Sequence, residues 1–301
     1  MIGFIVMRIK LFLLFIISFL LGGWFVCSAQ EVRRPKITAS VLPAGEMTAE
    51  TGLLKHPWTG KMVLFIGDSI SDCNLLRHDY RMYFEYLAEW LGISPVVTAI
   101  SGLEWNSVPM QLDLYRDAVG ELVPDVVCIL LGTNDFNMGV PLGEWYTEVT
   151  REVRWGTYPE GEQTSLRTCR EIVYDENTFR GRINKAMRLL KDTFPDTPVV
   201  LLTPLHRGYA FFGKGNEQPD ELVQNKCGLY LDSYTEVIKE VGNVWSVSVI
   251  DLNAELNLFP LLDSQATYFT HLDTDRLHPS AAGHLRMARV LLYRSLLIPA
   301  R

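Results

Sequence analysis

The feature that most constrains the fold is a series of short apolar runs separated by segments with helical periodicity. Most of the runs are continuous instead of alternating, which is typical of parallel strands buried on both faces. Glycine, proline or asparagine residues punctuate the chain between many of the segments. The predicted strands are 61–66, 95–100, 125–131, 198–203 and 246–251.

Helical patterns fill the intervals between these runs. Apolar residues from Phe179 to Phe194 recur at spacings of three and four, which predicts an amphipathic helix. The alternation of strand and helix predicts one three-layer α/β/α sandwich with right-handed crossovers over residues 61–301. The other predicted helices are the segment that ends before Gly92, then 108–122, 220–241 and 280–297.

The first 29 residues differ from the rest of the chain. Arg8 and Lys10 precede the apolar stretch 11–26, and small residues follow up to Ala29. This pattern predicts a signal peptide cleaved after Ala29, an exported protein (periplasmic or extracellular) and no stable membrane insertion afterwards. The apolar stretch is slightly long, so a retained N-terminal anchor is the alternative. Cys27 would suit lipoprotein processing, but the valine before it is unusual for that pathway.

Charge and cysteine content exclude several functions. The formal charge is −7, and it becomes −9 once the two basic residues of 1–29 are removed. An acidic chain without basic runs is a poor candidate for binding nucleic acid. The remaining cysteines match no zinc-binding spacing, so no structural metal is expected, and their disulfide pairing stays open. They are Cys73, Cys128, Cys169 and Cys227.

Polar residues stand where the predicted strands end. Gly67-Asp68-Ser69 follows the first strand, Ser101-Gly102 the second, and Gly132-Thr133-Asn134-Asp135 the third. Asp275 to Pro279 precedes the last helix. Ligands bind beyond the carboxyl ends of parallel strands, so we expect these segments to lie close together.

These residue types suit acyl transfer. A serine hydroxyl needs a base to become a nucleophile, and His278 titrates in the right range for that role. Asp275 could orient the imidazole and stabilise its protonated form. The backbone N–H groups of Ser69 and Gly102, with the side-chain amide of Asn134, could hold the oxyanion. We interpret Asp68 and Asp135 as structural.

The four segments resemble the blocks that define the SGNH hydrolases, also called the GDSL esterase/lipase family. The resemblance covers roughly residues 60–298, with Ile70 where the name GDSL has leucine. It implies a flavodoxin-like sheet in the order 2-1-3-4-5 and ester hydrolysis through an acyl-enzyme without a cofactor. The ordinary α/β-hydrolase motif Gly-x-Ser-x-Gly is absent, because Ser71 occupies the last glycine position.

The substrate is less constrained. Residues 136–176 form an insertion with Trp and Tyr side chains beside carboxylates, which suits either a small satellite core or sugar binding. Trp145, Trp155 and the rim residue His206 are candidate substrate contacts. The first hypothesis is an acetyl ester of a carbohydrate. The alternatives are a lipid or lysophospholipid esterase, and a binding protein on the same scaffold, which is disfavoured because all the reactive residues are present.

Three further expectations concern supporting segments. Residues 30–60 read as a leader that wraps onto the domain, and residues 70–72 as the start of a helix. His284 is expected to pack inside the last helix. The oligomeric state is not predicted.

Overall fold

The computed structural model describes residues 55–73, 80–156 and 161–301. The predicted signal peptide 1–29 and most of the leader 30–60 lie outside the described residues. Within the described ranges, no helix has the length and apolar character needed to cross a membrane.

Strands and helices alternate along the chain, with an all-β segment in the middle. The strands are β1 (Met62–Gly67), β2 (Ser94–Val97), β3 (Val126–Leu130), β4 (Tyr146–Trp155), β5 (Gln163–Ile172), β6 (Val199–Leu202), β7 (Ala210–Phe211), β8 (Glu217–Gln218), β9 (Ser248–Ile250), β10 (Phe269–His271) and β11 (Asp275–Pro279). The α-helices are α1 (Tyr83–Leu91), α2 (Val108–Val119), α3 (Thr133–Met138), α4 (Phe179–Thr193), α5 (Leu231–Trp245), α6 (Leu252–Glu255) and α7 (Ala281–Arg294). Short 3₁₀ turns occupy Trp105–Ser107, Asp263–Tyr268 and Ser295–Leu297.

The central sheet has the order β2-β1-β3-β6-β9, and all neighbouring strands are parallel. Counted among themselves, these strands have the order 2-1-3-4-5, which confirms the predicted topology. β3 is buried along its whole length, as expected for a strand covered on both faces. Helices α1 and α7 pack together, and α4 packs against α2 and α5. The protein is therefore an α/β sandwich.

The predicted helix 220–241 begins too early, because the observed helix α5 starts at Leu231. Short polar side chains before it bond the backbone locally. Asp220 accepts from the N–H of Leu222, and the Asn225 side chain accepts from the N–H groups of Cys227 and Leu229. Such bonds favour turns over helix. Residues 70–72 were also expected to start a helix, but they form a turn after Ser69.

The insertion 136–176 contains the end of helix α3 and an antiparallel hairpin of β4 and β5, whose strands are each ten residues long. The strands pair in unbroken register from Tyr146 opposite Ile172 to Trp155 opposite Gln163. No residue of either strand is buried. Among the described residues the alternative of a satellite core is therefore wrong, since large apolar side chains of the strands stay exposed: Trp155 is 47% exposed and Leu166 75%.

A second sheet was not predicted. Its order is β10-β11-β7-β8, and its neighbouring strands are antiparallel. The segment from Asp275 to Pro279 forms β11 of this sheet instead of a loop before α7. Asp275 pairs with Ala210 of β7. The aspartate and histidine of the fourth sequence block thus lie on β11, which is flanked by β10 and β7.

Candidate active site

The turn after β1 is held by buried contacts. A Cβ at Gly67 would lie 3.0 Å from the Ser71 side chain and 3.2 Å from the carbonyl oxygen of Leu130, so a larger residue would crowd both groups. The buried Gln111 amide donates to the Gly67 carbonyl and accepts from the Gly67 N–H, both at 3.0 Å. The backbone before half-buried Ser69 is therefore fixed on two sides.

Ser69, His278 and Asp275 form one hydrogen-bonded row. The Ser69 Oγ lies 2.8 Å from His278 Nε2, and His278 Nδ1 lies 2.8 Å from Asp275 Oδ2. Asp275 Oδ1 accepts from the backbone N–H groups of Leu277 at 3.1 Å and His278 at 3.0 Å. The carboxylate is thus fixed against its own strand, and it presents its second oxygen to the imidazole.

An irregularity in β11 lets Asp275 and His278 meet. In a regular strand, residues three apart point to opposite faces. Here Phe269 pairs with Pro279 and His271 pairs with Asp275, so β11 uses more residues than β10 over the same span. Such a bulge re-aims side chains, and bulges are common beside active sites.

Gly102 lies on the loop after β2, and Asn134 lies in the first turn of helix α3. Gly102 has φ +79°, a left-handed conformation that favours glycine. The Asn134 side chain donates one N–H to the carbonyl of Leu103 at 3.0 Å, so its amide lies beside the Gly102 loop. Within the described residues, the backbone N–H groups of Ser69 and Gly102 donate no hydrogen bond. The arrangement leaves donors free for an anionic oxygen.

A comparison with known families decides the classification. The model of the GDSL-like Lipase/Acylhydrolase family matches residues 65–286, a span that contains all four sequence blocks. The chain belongs to this family. It is accordingly a serine hydrolase that acts on ester bonds.

Relatives of this GDSL-like acylhydrolase support the assignment. An acetylxylan esterase from Geobacillus stearothermophilus is 26% identical over 248 residues, which cover 78% of this chain and 93% of the relative. A solved structure from Lactobacillus plantarum has a TM-score of 0.58 at 23% identity, covering 78% of this chain and 96% of that one. A protein from Chitinophaga pinensis, described as a possible lipase, has a TM-score of 0.57 at 18% identity, with coverages of 78% and 97%. The two structures support the fold.

Two buried carboxylates tie the loops of the acylhydrolase together. Asp72 Oδ2 accepts from the Ser101 N–H at 2.8 Å and from the Ser101 hydroxyl at 2.9 Å, so it links the Ser69 turn to the Gly102 loop. Asp135 accepts from the Trp105 N–H at 3.1 Å and from Arg182 at 2.8 Å. Its predicted structural role agrees with these bonds. The role of Asp72 was not predicted, because a long-range contact leaves no local pattern.

Burial shifts the protonation of the groups behind Ser69. Burial raises the pKa of Asp68 to about 7, although its bond from the Ile70 N–H and the nearby charge of Arg207 act in the opposite direction. Burial likewise raises the pKa of Asp135 to about 6, against the pull of Arg182. Burial lowers the pKa of Arg207 to about 10.

Arg207 is a buried residue that sequence reasoning missed. Its guanidinium donates to the Thr133 carbonyl at 3.3 Å and to the Gln218 side chain at 2.8 Å, and it lies 5.5 Å from the Phe136 ring centre. It therefore connects the loop after β6 to the segment that carries Asn134. Its position next to His206 was the available signal, but a buried arginine has no pattern that distinguishes it from an exposed one.

The predicted substrate contacts do not converge. His206 Nδ1 bonds the Glu221 carboxylate at 2.7 Å and packs edge-on against Phe259. Trp145 precedes β4 and donates to Glu240 at 2.6 Å. Trp155 ends the same ten-residue strand, which spans about 33 Å, so the two tryptophans cannot contact one small substrate together.

An unpredicted aromatic side chain lies beside His278 instead. The Phe212 ring centre is 5.3 Å from that of His278, and the side chain is 42% exposed. The turn between β7 and β8 holds it, because the Phe212 N–H donates to the Asn216 carbonyl at 3.0 Å. His284, by contrast, is buried and stacks on Tyr83, which confirms its packing role.

Proposed function

We propose that this serine hydrolase is an exported acetyl esterase that acts on carbohydrate, with Ser69 as its nucleophile. The observation that carries the proposal is the hydrogen-bonded row of Ser69, His278 and Asp275, with both contacts to the imidazole at 2.8 Å. Asp275 is acceptor-only when ionised, so it fixes the proton on Nδ1 of His278 and leaves Nε2 as the base.

The chemistry follows from this tautomer. Ser69 Oγ attacks the ester carbonyl carbon while its proton passes to His278 Nε2, and the carbonyl oxygen becomes an oxyanion. The N–H groups of Ser69 and Gly102 and the free N–H of the Asn134 amide stabilise that charge. The intermediate then collapses, and His278 gives its proton to the departing alcohol. Water, deprotonated by His278, attacks the acyl-enzyme, and His278 returns the proton to Ser69 Oγ as the acid is released.

The carbohydrate substrate rests on two lines of support. The acetylxylan esterase relative aligns over nearly its whole length, although at 26% identity. The second line is Phe212. Because His278 protonates the leaving alcohol, a side chain beside His278 lies beside the alcohol part of the ester. An exposed aromatic face at that position suits stacking against the apolar face of a sugar ring.

Substrate panels with a Ser69→Ala variant test the reaction class and the acyl group together. We expect acetate release from acetylated xylo-oligosaccharides, with octanoyl esters turned over poorly, and loss of both activities in Ser69→Ala. Preference for octanoyl esters, with no acetate released from the oligosaccharides, would reject the carbohydrate substrate. Full activity in Ser69→Ala would reject the mechanism.

A matched pair of phenylalanines tests the alcohol side. Phe211 and Phe212 are adjacent and equally exposed, at 41% and 42%, and side chains of successive residues in an extended segment point to opposite faces. Phe212→Ala should raise KM for acetylated xylo-oligosaccharides about 3–10-fold, the worth of one aromatic contact. It should leave kcat/KM for ethyl acetate unchanged, because the ethyl group is too small to stack. Phe211→Ala should change neither value, and equal effects of both variants would reject the subsite.

Export is the remaining part of the proposal. It rests on the basic, apolar and small-residue pattern of residues 1–29. The mature protein purified from its host should begin at Gln30, as determined by N-terminal sequencing. A start at Met1 would show that the segment is retained.

A further inference from the structure

The hairpin of β4 and β5 lacks a stabilising partner among the described residues. Its strands supply twenty residues, none of them buried. An isolated two-stranded hairpin is marginally stable in water, and three or more strands are normally needed. The base of the hairpin is fixed by Trp145, which bonds Glu240 and lies 5.5 Å from the Arg180 guanidinium. The contacts that the described residues show for the outer part lie within the hairpin itself, such as the Arg167 guanidinium 5.1 Å from the Trp155 ring centre.

The outer edge of β5 is available for pairing. Within the described residues, β5 pairs with β4 alone, so its other edge presents unpaired backbone N–H and C=O groups. An edge of ten residues is a template for adding another strand. Leu166, which is 75% exposed, and Ile172, which is 37% exposed, both belong to this strand.

We propose that β5 pairs antiparallel with β5 of a second copy of this chain, about a two-fold axis at Cys169. In this register Arg167 lies opposite Glu171 of the partner, and Leu166 lies opposite Ile172. The symmetry repeats each pair, so the interface gains two charge pairs and two apolar pairs. It also produces a four-stranded sheet with the order β4-β5-β5-β4.

Charge selects this register over its neighbours. A two-fold axis perpendicular to the sheet keeps each side chain on its own face, so the axis must pass through a residue. An axis at Thr168 would place Leu166 opposite Arg170. An axis at Arg167 or at Arg170 would place two arginines directly opposite each other, which is destabilising. Of the axes at residues 167 to 170, the one at Cys169 alone pairs opposite charges and apolar side chains together within β5.

Glu171 already lies close to an arginine of its own chain. Its carboxylate lies 3.7 Å from Arg151 of the same chain, on the neighbouring strand. In the dimer it would lie between Arg151 and the partner subunit's Arg167. Each exposed ion pair contributes little to the free energy of association by itself. The two-fold symmetry forms every pair twice, and the cross-strand hydrogen bonds stabilise the same interface.

Charge reversal tests the interface on the full mature chain. We expect a dimer by sedimentation velocity at micromolar concentration. Arg167→Glu and Glu171→Arg should each shift the protein towards the monomer and raise the dissociation constant of the dimer at least tenfold. The double variant R167E/E171R should restore the dimer, because it exchanges the charges of each pair. Arg154→Glu is the matched control: Arg154 belongs to β4 and pairs with Glu162, so the dimer should persist.

A cysteine crosslink tests the register. Directly opposite residues in antiparallel strands have Cα atoms about 4.5–5.5 Å apart, within the range of a disulfide. Mild copper-catalysed air oxidation, which removes two hydrogen atoms from two thiols, should therefore give a covalent dimer through Cys169. Cys169→Ser should abolish it and Cys227→Ser, at an exposed cysteine outside the hairpin, should not. A monomeric wild type, a dimer indifferent to Arg167→Glu, or a crosslink through Cys227 would overturn the proposal.

Discussion

The ends of the central strands and the hairpin of β4 and β5 use charged side chains in opposite ways. At the strand ends, Asp72, Asp135 and Asp275 are buried, and each accepts a backbone N–H from a loop or strand of the site. In the hairpin, both side chains of ion pairs such as Arg154–Glu162 are exposed. An exposed ion pair contributes about 0–1 kcal/mol to the free energy of unfolding. Removing the partner of a buried polar group destabilises the fold more, because the remaining group is buried without a hydrogen bond.

The positions of side chains are fixed by buried hydrogen bonds at the strand ends, and they are less constrained in the hairpin. A hydrolytic site needs donors and acceptors held within tenths of an ångström, so its loops are tied by buried polar bonds. The hairpin holds no part of the Ser69 row, and its exposed charges leave it available for recognition. Substitutions in the two regions should therefore differ in size and in kind.

The largest expected effect is that of Asp275→Asn. An amide that donates to His278 Nδ1 would move the imidazole proton to Nε2 and remove the base, so kcat should fall about 10⁴-fold. Glu171→Gln in the hairpin should leave kcat unchanged. Steady-state kinetics with p-nitrophenyl acetate measures both. A loss of less than tenfold in Asp275→Asn would show that Asp275 does not orient His278.

Asn134→Ala should have the next largest effect. Loss of one oxyanion donor typically lowers kcat about 10²–10³-fold, with little change in KM. Asn137→Ala is the matched control, because Asn137 lies on the same helix α3 and its side chain makes no hydrogen bond within the described part of the chain. Equal kinetics in the two variants would exclude Asn134 from the oxyanion site.

Gln111→Met should lower the free energy of unfolding by about 2–3 kcal/mol. The substitution keeps the side chain's size but leaves the buried Gly67 N–H without its acceptor. Thr150→Ser, at an exposed position of the hairpin, should change the free energy by less than about 0.5 kcal/mol. Urea denaturation followed by circular dichroism compares them. Similar stabilities would show that the Ser69 turn does not depend on Gln111.

The two regions should also differ in how they affect the pH dependence of stability, because Asp68 behind Ser69 is buried and the carboxylates of the hairpin are exposed. Because the pKa of Asp68 is raised to about 7 in the folded state, the folded protein binds a proton that the unfolded chain releases near pH 4. Stability therefore falls as pH rises from about 4 to about 7, and the loss is complete above about 7. Asp68→Asn should remove this decline, worth on the order of 2 kcal/mol between pH 5 and pH 7.

Urea denaturation at the two pH values measures the difference between wild type and Asp68→Asn. Glu148→Gln in the exposed hairpin is the control, and its pH dependence should match that of the wild type. If the wild type and Asp68→Asn lose stability in parallel, Asp68 does not carry the raised pKa.

Local patterns predicted much of this molecule. Continuous apolar runs identified the central strands, and the predicted proximity of the segments at their ends, which carry Ser69, Gly102 and Asn134, agrees with the contacts between them. The bonds that support them were not predictable, because Gln111 reaches Gly67 across 44 positions and Asp72 reaches Ser101 across 29. The second sheet was missed because β7, β8 and β10 have two or three residues each, too few to show a period.

The hairpin was missed for a different reason. Its strands carry a charged or polar residue at most positions, and the small apolar residues between them, such as Val149 and Val153, form too weak an alternation to indicate a strand. Sequence reasoning therefore assigned the tryptophans near it to a site or a core, and the structure separates them along β4.

The most direct test of the central claim is to identify the residue that a serine-directed organophosphate modifies. The protein would be inactivated with diethyl p-nitrophenyl phosphate, digested and mapped by mass spectrometry. We expect one diethylphosphoryl group per inactivated chain, on the peptide that contains Ser69, and no labelling of that peptide in Ser69→Ala. Complete inactivation with the label on another serine, or full esterase activity in a chain modified at Ser69, would contradict it.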